Sequence, residues 1–267
     1  MTSEEHREQP PPSRRIADRL RSAIHDGDLL PGDRLPSERD LAQEYGTARN
    51  TAREALRILA EEGLVDRRHG SGVFVRERRR TLRFGAERYS RRLREETGLS
   101  PYRAELAKQG LVPRVDCVSI ERVVPPADVA ERLGLTDGAS DVVRRENWYY
   151  ASDGTNEHPV QVGVTFVPWA IAGGTPLATS ANLGKGSLYA RFEDRGHRIT
   201  RSREEVSARM PTPQEARGLM VPSGVPVLEV LHTGIDQGGR PFEVTRFVMR
   251  ADLAALDYDM AVEETDD

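Results

Sequence analysis

The stretch LPSERDLAQEYGTARNTAREALRILAEEGLV, residues 35–65, leaves the chain little choice of local fold. Ser37 stands where a helix N-cap belongs, and Asp40 at the third helical position can return the hydrogen bond, a variant of the capping box. The helix so predicted runs to about Tyr45 and is stopped by Gly46. Beyond the glycine, Ala52, Ala55, Leu56, Leu59 and Ala60 recur at the spacing of one helical face, while Arg49, Asn50, Arg53 and Arg57 fall on the other; Gly63 ends this helix. Two short amphipathic helices joined by so tight a turn can bury their stripes only against each other and a third element.

The flanks supply that element. From Ser13, a good N-cap, Ile16, Leu20, Ala23 and Ile24 fall at i, i+4, i+7 and i+8 and predict a first helix. The connector DGDLLPGDRLP breaks the pattern with two Gly and two Pro. After Gly63, LVDRRHGSGVFV reads as two strands around His69-Gly70-Ser71-Gly72, whose glycines allow the positive φ values of a tight hairpin. Three helices followed by a hairpin describe a winged helix-turn-helix, mainly α with a β-hairpin wing. Such units lay the second helix of the pair in the DNA major groove, its N-terminal residues toward base edges. The apolar stripe packs the unit, and the arginines stand where phosphates and guanine edges would be.

Charge divides the chain in the same sense. Residues 1–95 hold 21 Lys+Arg against 17 Asp+Glu, the remainder 18 against 26, within an overall −4, so a polyanion would meet the N-terminal part. Lys108 and Lys185 are the only lysines; every other basic residue is arginine. Cys117 is the only cysteine, which excludes an intrachain disulfide and a Cys-rich zinc site. The six histidines are scattered without ligand spacing, and no metal or cofactor is expected. No window approaches the ~18 apolar residues of a membrane span, and MTSEEHREQPPPSRR lacks the apolar core of a signal peptide. The expectation is a cytoplasmic protein with no membrane partner and a disordered arm over 1–12.

Residues 77–95 are too charged to form a core and read as a basic, partly helical linker, either adding phosphate contacts or serving as a solvated spacer. After a helix near 101–109 the period becomes strand-like at VDCVSIERVV, returns to helix at PPADVAERLG, and is strand again at DVVRRENWYY. HPVQVGVTFV alternates, with Val160, Val162, Val164 and Phe166 on one face and Gln161, Gly163 and Thr165 on the other. SLYARFEDRG is a helix, RITRSREEVSARM a strand and TPQEARGLM a helix; PVLEVLHTGIDQGGRPFEVTRFVM is a hairpin turning at 237–239. Neighbouring strands joined by short turns predict an antiparallel sheet with helices, hence an α+β domain over 96–262.

Both halves resemble known families. The blocks PG.RLPSERDLA, R.T.REAL..L..EGL and G.G.FV occur in order and at family spacing across about 13–76, and resemble the DNA-binding domain of GntR-type bacterial transcription regulators. The resemblance implies DNA contacts from Arg39 in the second helix, from Arg49 and Arg53 in the recognition helix, and from wing Gly70 at the minor groove. Asn50 beside them, and Arg67, Arg68 and His69 in the wing, complete the candidate DNA-binding set. One departure concerns Ala48, where the family has Ser or Thr; Thr47 would then supply the cap one residue early. The order GHRITRSREEVSAR…PTPQEARGL.VPSGVPVLEVLHTGIDQGGRPFEVTRF is similar to the UTRA effector-binding domain of the HutC branch, whose fold is chorismate lyase-like.

That second resemblance implies a homodimeric regulator, a repressor, that binds an inverted-repeat operator in double-stranded DNA and is released or modulated by a small-molecule effector. Alternatives are a regulator whose C-terminal domain is ligand-free and serves only dimerisation, and an enzyme of chorismate lyase-like fold. Against the enzyme, no nucleophile with a base and no paired-carboxylate motif is present. Sugar-phosphate sensors of the branch carry two arginines, two residues apart, before an Asp-Gly turn; counting back from Asp153-Gly154 places Trp148 and Tyr150 there, on one strand face. The position that holds a sugar-binding glutamate, five before Pro168, is Gly163, flanked on its face by Gln161 and Thr165. Glu243 matches a pocket acid on the final strand, with Thr245 beside it. The effector expected is one with a flat or apolar portion, stacked on Trp148 and Tyr150, and one acidic group. Free amides at the helix start Gly186-Ser187 would hold that group, with help from Arg201 or Arg203.

Overall fold

A computed structural model describes residues 10–68, 70–76, 81–84, 86–135 and 141–259. The chain divides into two compact units, Met1–Arg79 with Pro222–Val225 and Arg80–Val221 with Pro226–Asp267.

The first unit consists of α1 (Pro12–Asp26), α2 (Glu38–Glu44), α3 (Arg49–Glu61) and a hairpin of β1 (Val65–Arg68) and β2 (Gly72–Val75). The capping box at Ser37 and Asp40 forms with both of its hydrogen bonds. Two helix starts differ from expectation. α1 begins at Pro12 behind the N-cap Pro11, without a side-chain cap, because proline's fixed φ already suits the first helical position; Ser13 therefore lies inside the helix. α3 has Ala48 as its N-cap and no side-chain cap, so Thr47 does not supply one; its backbone amide instead donates to Ala42 O at 2.9 Å. The two stripes meet as predicted, with Ile16, Leu20, Leu41, Ala52, Leu56, Leu59, Val65 and Val75 in one core. Each large aliphatic side chain buried there contributes about 1.5–3 kcal/mol.

The second unit contains β3 (Thr81–Phe84), a 3-10 turn (Ala86–Tyr89), α4 (Arg91–Thr97), α5 (Pro101–Lys108), β4 (Val112–Val123) and α6 (Ala127–Leu133). It continues with β5 (Val142–Ser152), β6 (Glu157–Pro168), α7 (Trp169–Ala172), α8 (Pro176–Thr179), α9 (Ser187–Glu193) and β7 (Ile199–Arg209). α10 (Pro213–Gly218), β8 (Val227–Asp236), β9 (Pro241–Arg250) and β10 (Ala254–Asp257) complete it. Six strands form one antiparallel sheet in the order β4-β5-β6-β9-β8-β7, and β3 pairs in parallel with β10. β6 is buried on both faces, Val162 and Phe166 on one and Gln161 and Thr165 on the other; Val160, expected with Val162, packs instead with Tyr102, Leu106 and Tyr149 on the cavity side because it is the extra residue of a bulge. Among the described residues no helix is long and apolar enough to cross a membrane.

The basic linker expected over 77–95 is corrected by the structure, because its described residues from Thr81 onward belong to the second unit. Arg83, Arg88 and Arg94 are buried, and each is ion-paired inside that unit, with Glu204, Glu105 and Glu193 respectively. Arginines so neutralised and covered are structural, and they are not free to hold phosphates.

Candidate DNA groove and effector cavity

In the first unit, the turn between α2 and α3 and the curl of the hairpin draw separated arginines together. A groove of about 610 Å³ is lined by Arg34, Arg39, Arg49, Arg53, Arg67 and Arg68, with Glu38 as the one carboxylate and Gly70 at its edge. Arg34 was not legible as part of this set; it lies in the connector, and a bridge between Arg34 and Phe74 carries it to the wing. Gly72 must stay small there, since a Cβ would lie 2.9 Å from the Arg34 side chain at a φ of +121°. Arg53 holds both oxygens of Glu38 at 3.0–3.1 Å, and this hydrogen bonding lowers the Glu38 pKa. Arg67 donates to Arg53 O at 3.1 Å, and the Arg68 guanidinium lies 4.4 Å from the Phe74 ring centre. Arg49 is exposed at the start of α3. Asn50 is exposed on α3 and Thr47 half-buried before it, but neither lines the groove, and His69 lies outside the described residues. Arg57, on the same helix, is held by Glu54 and Glu61 and does not enter.

In the second unit, register fixes which side chains share a face. Arg145, Asn147 and Tyr149 on β5 stand opposite Thr165, Gly163 and Gln161 on β6, which stand opposite Thr245, Phe247 and Met249 on β9. This face is the floor of a cavity of about 690 Å³, roofed by α5, α9 and the segment 181–184. Of the effector residues expected from the sequence, Thr165, Ser187 and Thr245 line the cavity. Glu243 lies one hydrogen bond behind the wall, accepting from Tyr189 Oη and Thr245 Oγ1 at 2.7 Å each. Gln161 and Gly163 are buried on the floor face without lining the cavity.

The remaining assignments are corrected. Trp148 pairs with Val162 and Asp116 on the other face of the sheet, where its indole covers Gly218 of α10 and its Nε1 donates to Glu146 at 3.0 Å. Tyr150 stacks under the Arg114 guanidinium at 3.8 Å and does not line the cavity. β5 alternates without interruption here, pairing Tyr150, Tyr149 and Trp148 with Arg114, Val115 and Asp116, so Trp148 and Tyr150 share the face opposite Tyr149; the extra residue of the nearby bulge, Val160, is on β6. The pocket-facing pair is Asn147 and Tyr149. The Gly186-Ser187 amides are not free, because they donate to Gly98 O at 3.0 Å and Gly184 O at 3.1 Å. Arg201 and Arg203 are exposed on the edge strand β7, away from the cavity.

Behind Tyr89 and Tyr189 lies a buried charge network. His232, 1% exposed, is 3.0 Å from Glu204 and 3.2 Å from Glu243 and stacks on Tyr89 with ring centres 4.8 Å apart. Burial opposes the imidazolium, but hydrogen bonds to Glu204 and Glu243 outweigh it, and the His232 pKa is raised. Burial likewise opposes the Glu243 carboxylate, yet His232, Tyr189 and Thr245 together lower its pKa. Arg145 is the opposite case, since burial pushes its pKa down and no carboxylate among the described residues restores it.

Comparison with known proteins agrees with this division. Residues 12–75 match the family described as bacterial regulatory proteins, gntR family, and residues 108–254 match the UTRA domain. The HTH-type transcriptional regulator GgaR of Escherichia coli is 30% identical over 90% of this chain and 87% of its own. The HTH-type transcriptional repressor NagR of Bacillus subtilis is 27% identical over 89% of each. Among solved structures, a putative GntR-family transcriptional regulator superimposes with a TM-score of 0.64 at 30% identity over 96% of this chain and 99% of that one. PhnF from Mycobacterium smegmatis, at 24% identity and a TM-score of 0.57 over 94% and 100%, shares the fold. An N-terminal winged helix-turn-helix bearing a groove of arginines, followed by an antiparallel-sheet UTRA domain, makes this chain a member of the GntR family of bacterial transcription regulators.

Proposed function

We propose that the protein is a cytoplasmic repressor of the HutC branch that binds an inverted-repeat operator as a homodimer and leaves it when a small-molecule effector occupies the UTRA cavity. The observation that carries this reading is the groove in which six arginines face one carboxylate around the first turn of α3. Planar guanidinium forks there suit guanine edges, and the wing arginines suit phosphates. Two relatives, NagR and the MngR repressor of Escherichia coli, are named as repressors, which supports that direction of control. A symmetric operator is matched by a symmetric dimer. Effector binding would change operator affinity by about 5–150-fold, with a reciprocal change in effector affinity.

The test is selection of duplexes from a random pool by the full chain, followed by sedimentation with and without the selected duplex. Enrichment of one inverted repeat, bound by two chains, is expected. A single half-site bound by a monomer would overturn the dimeric reading, and no enrichment of any sequence would overturn operator recognition.

A further inference from the structure

Among the described residues, the cavity wall contains one buried cation without a counter-charge. Arg145 is 1% exposed. Its Nη1 donates to Leu177 O at 2.5 Å, and its Nη2 to Ser180 O at 2.8 Å and Cys117 Sγ at 3.7 Å, while Nε is buried without a partner. All of these partners are uncharged. The other buried arginines of the unit are treated differently: Arg83, Arg88, Arg94 and Arg250 each face a carboxylate. A charge taken out of water without a counter-charge is unfavourable. Such a residue on a cavity wall is therefore poised for a charge that arrives from outside the chain.

The remaining charges around the cavity set the valence. Arg88 is neutralised by Glu105 and Asp116 by Arg114, and Arg103 sits exposed at the rim. One uncompensated buried cation suits one negative charge. The floor beside it sets the shape. Tyr149 and Phe247 close over Gly163 so tightly that a Cβ there would lie 3.0–3.1 Å from both rings. Tyr102 meets Tyr149 edge-on at 4.9 Å, and its buried hydroxyl has no partner. Aromatic walls around a space of about 690 Å³ fit a ligand of one or two fused rings. We propose that the cavity binds a planar aromatic monocarboxylate, its carboxylate at Arg145 and its rings against Tyr149 and Phe247. The assignment rests on the effector-controlled reading above and gives it a ligand class.

Calorimetric titration of the full chain with 2-naphthoate, the neutral 2-naphthamide and the dianionic 2-naphthyl phosphate tests it. The carboxylate should bind about tenfold or more tightly than either analogue, and Arg145→Met should remove that preference. The same variant without ligand should melt at or above the wild-type temperature, because it loses an unneutralised buried charge. Arg145→Lys, which keeps the charge, should still favour the acid over the amide. Equal binding of acid and amide by the wild type, preference for the phosphate, no binding of any probe, or unchanged acid affinity in Arg145→Met would each overturn the assignment. Should Arg145→Met fail to fold, the three probes on the wild type and on Arg145→Lys decide alone. Binding of 2-naphthoate that depends on Arg145 but leaves operator affinity unchanged would support the ligand site and overturn the effector-controlled reading.

Discussion

The two units use arginine in opposite ways. In the first, Arg39, Arg49, Arg53, Arg67 and Arg68 are exposed around one groove, and their contacts are few or solvent-facing. In the second, Arg83, Arg88, Arg94, Arg145 and Arg250 are all less than 10% exposed. A solvated guanidinium is cheap to hold and can exchange its partners for phosphate or guanine. A buried one is committed to whatever neutralises it, and its removal strands the partner. Exposed arginines gathered around one groove, rather than exposure alone, mark the candidate surface for a polyanion, since Arg103, Arg201 and Arg203 of the second unit are exposed as well.

The largest expected effect strikes the buried side of this contrast. Arg88→Met removes the buried ion pair with Glu105 and should destabilise the UTRA unit by about 3–5 kcal/mol in urea unfolding. A loss under about 1 kcal/mol would mean that buried and exposed arginines do not differ as argued. On the exposed side, Arg49→Ala or Arg53→Ala should lower operator affinity roughly ten- to a hundredfold, with a smaller loss on random duplex and an unchanged melting temperature. Equal losses on both duplexes would show that these side chains touch only phosphates.

Protonation sharpens the comparison further. His232 has a raised pKa, so its contribution is fully present below the ordinary value of about 6.5 and disappears as pH rises through the raised value. Glu243 has a lowered pKa, and its contribution is lost only as pH falls below the ordinary carboxylate range. The unfolding free energy of the UTRA unit, and with it the melting temperature, should therefore decline above about pH 6.5. His232→Asn should remove that decline, and a slope that survives the substitution would assign it to another group. The smallest effects belong to the groove's own acid. Glu38→Gln frees Arg53, so affinity for random duplex should rise a few-fold and the salt dependence steepen by up to about one unit. Arg57→Ala, which removes an arginine already clamped by Glu54 and Glu61, should change DNA binding by less than about twofold.

The first unit was legible because its determinants are local. Helical spacing, the Ser37–Asp40 cap and the hairpin glycines lie within a few residues of one another, and they brought Arg39, Arg49, Arg53, Arg67 and Arg68 into one groove. Arg34 escaped because its place depends on a contact with Phe74, far along the chain. In the second unit the strands and their antiparallel order were legible from alternation, and so was the face of β6 that carries Thr165. Two things were not. The bulge opposite Tyr149 and Tyr150 inserts Val160 into β6 and shifts its parity, and no local pattern announces a bulge. Residues 77–95 looked like a basic linker because the carboxylates that neutralise Arg83 and Arg94 lie 121 and 99 positions away.

The floor at Gly163 bears on how this sensor could acquire another specificity. A Cβ placed there would lie 3.0–3.1 Å from Phe247 and Tyr149, so any side chain at this position requires both rings to give by a few tenths of an ångström. Trimming a ring first would open a void in the floor and weaken the unit. Each single step is unfavourable and only the pair is productive, which is strong epistasis between neighbouring positions. Drift one substitution at a time thus tends to keep this floor aromatic.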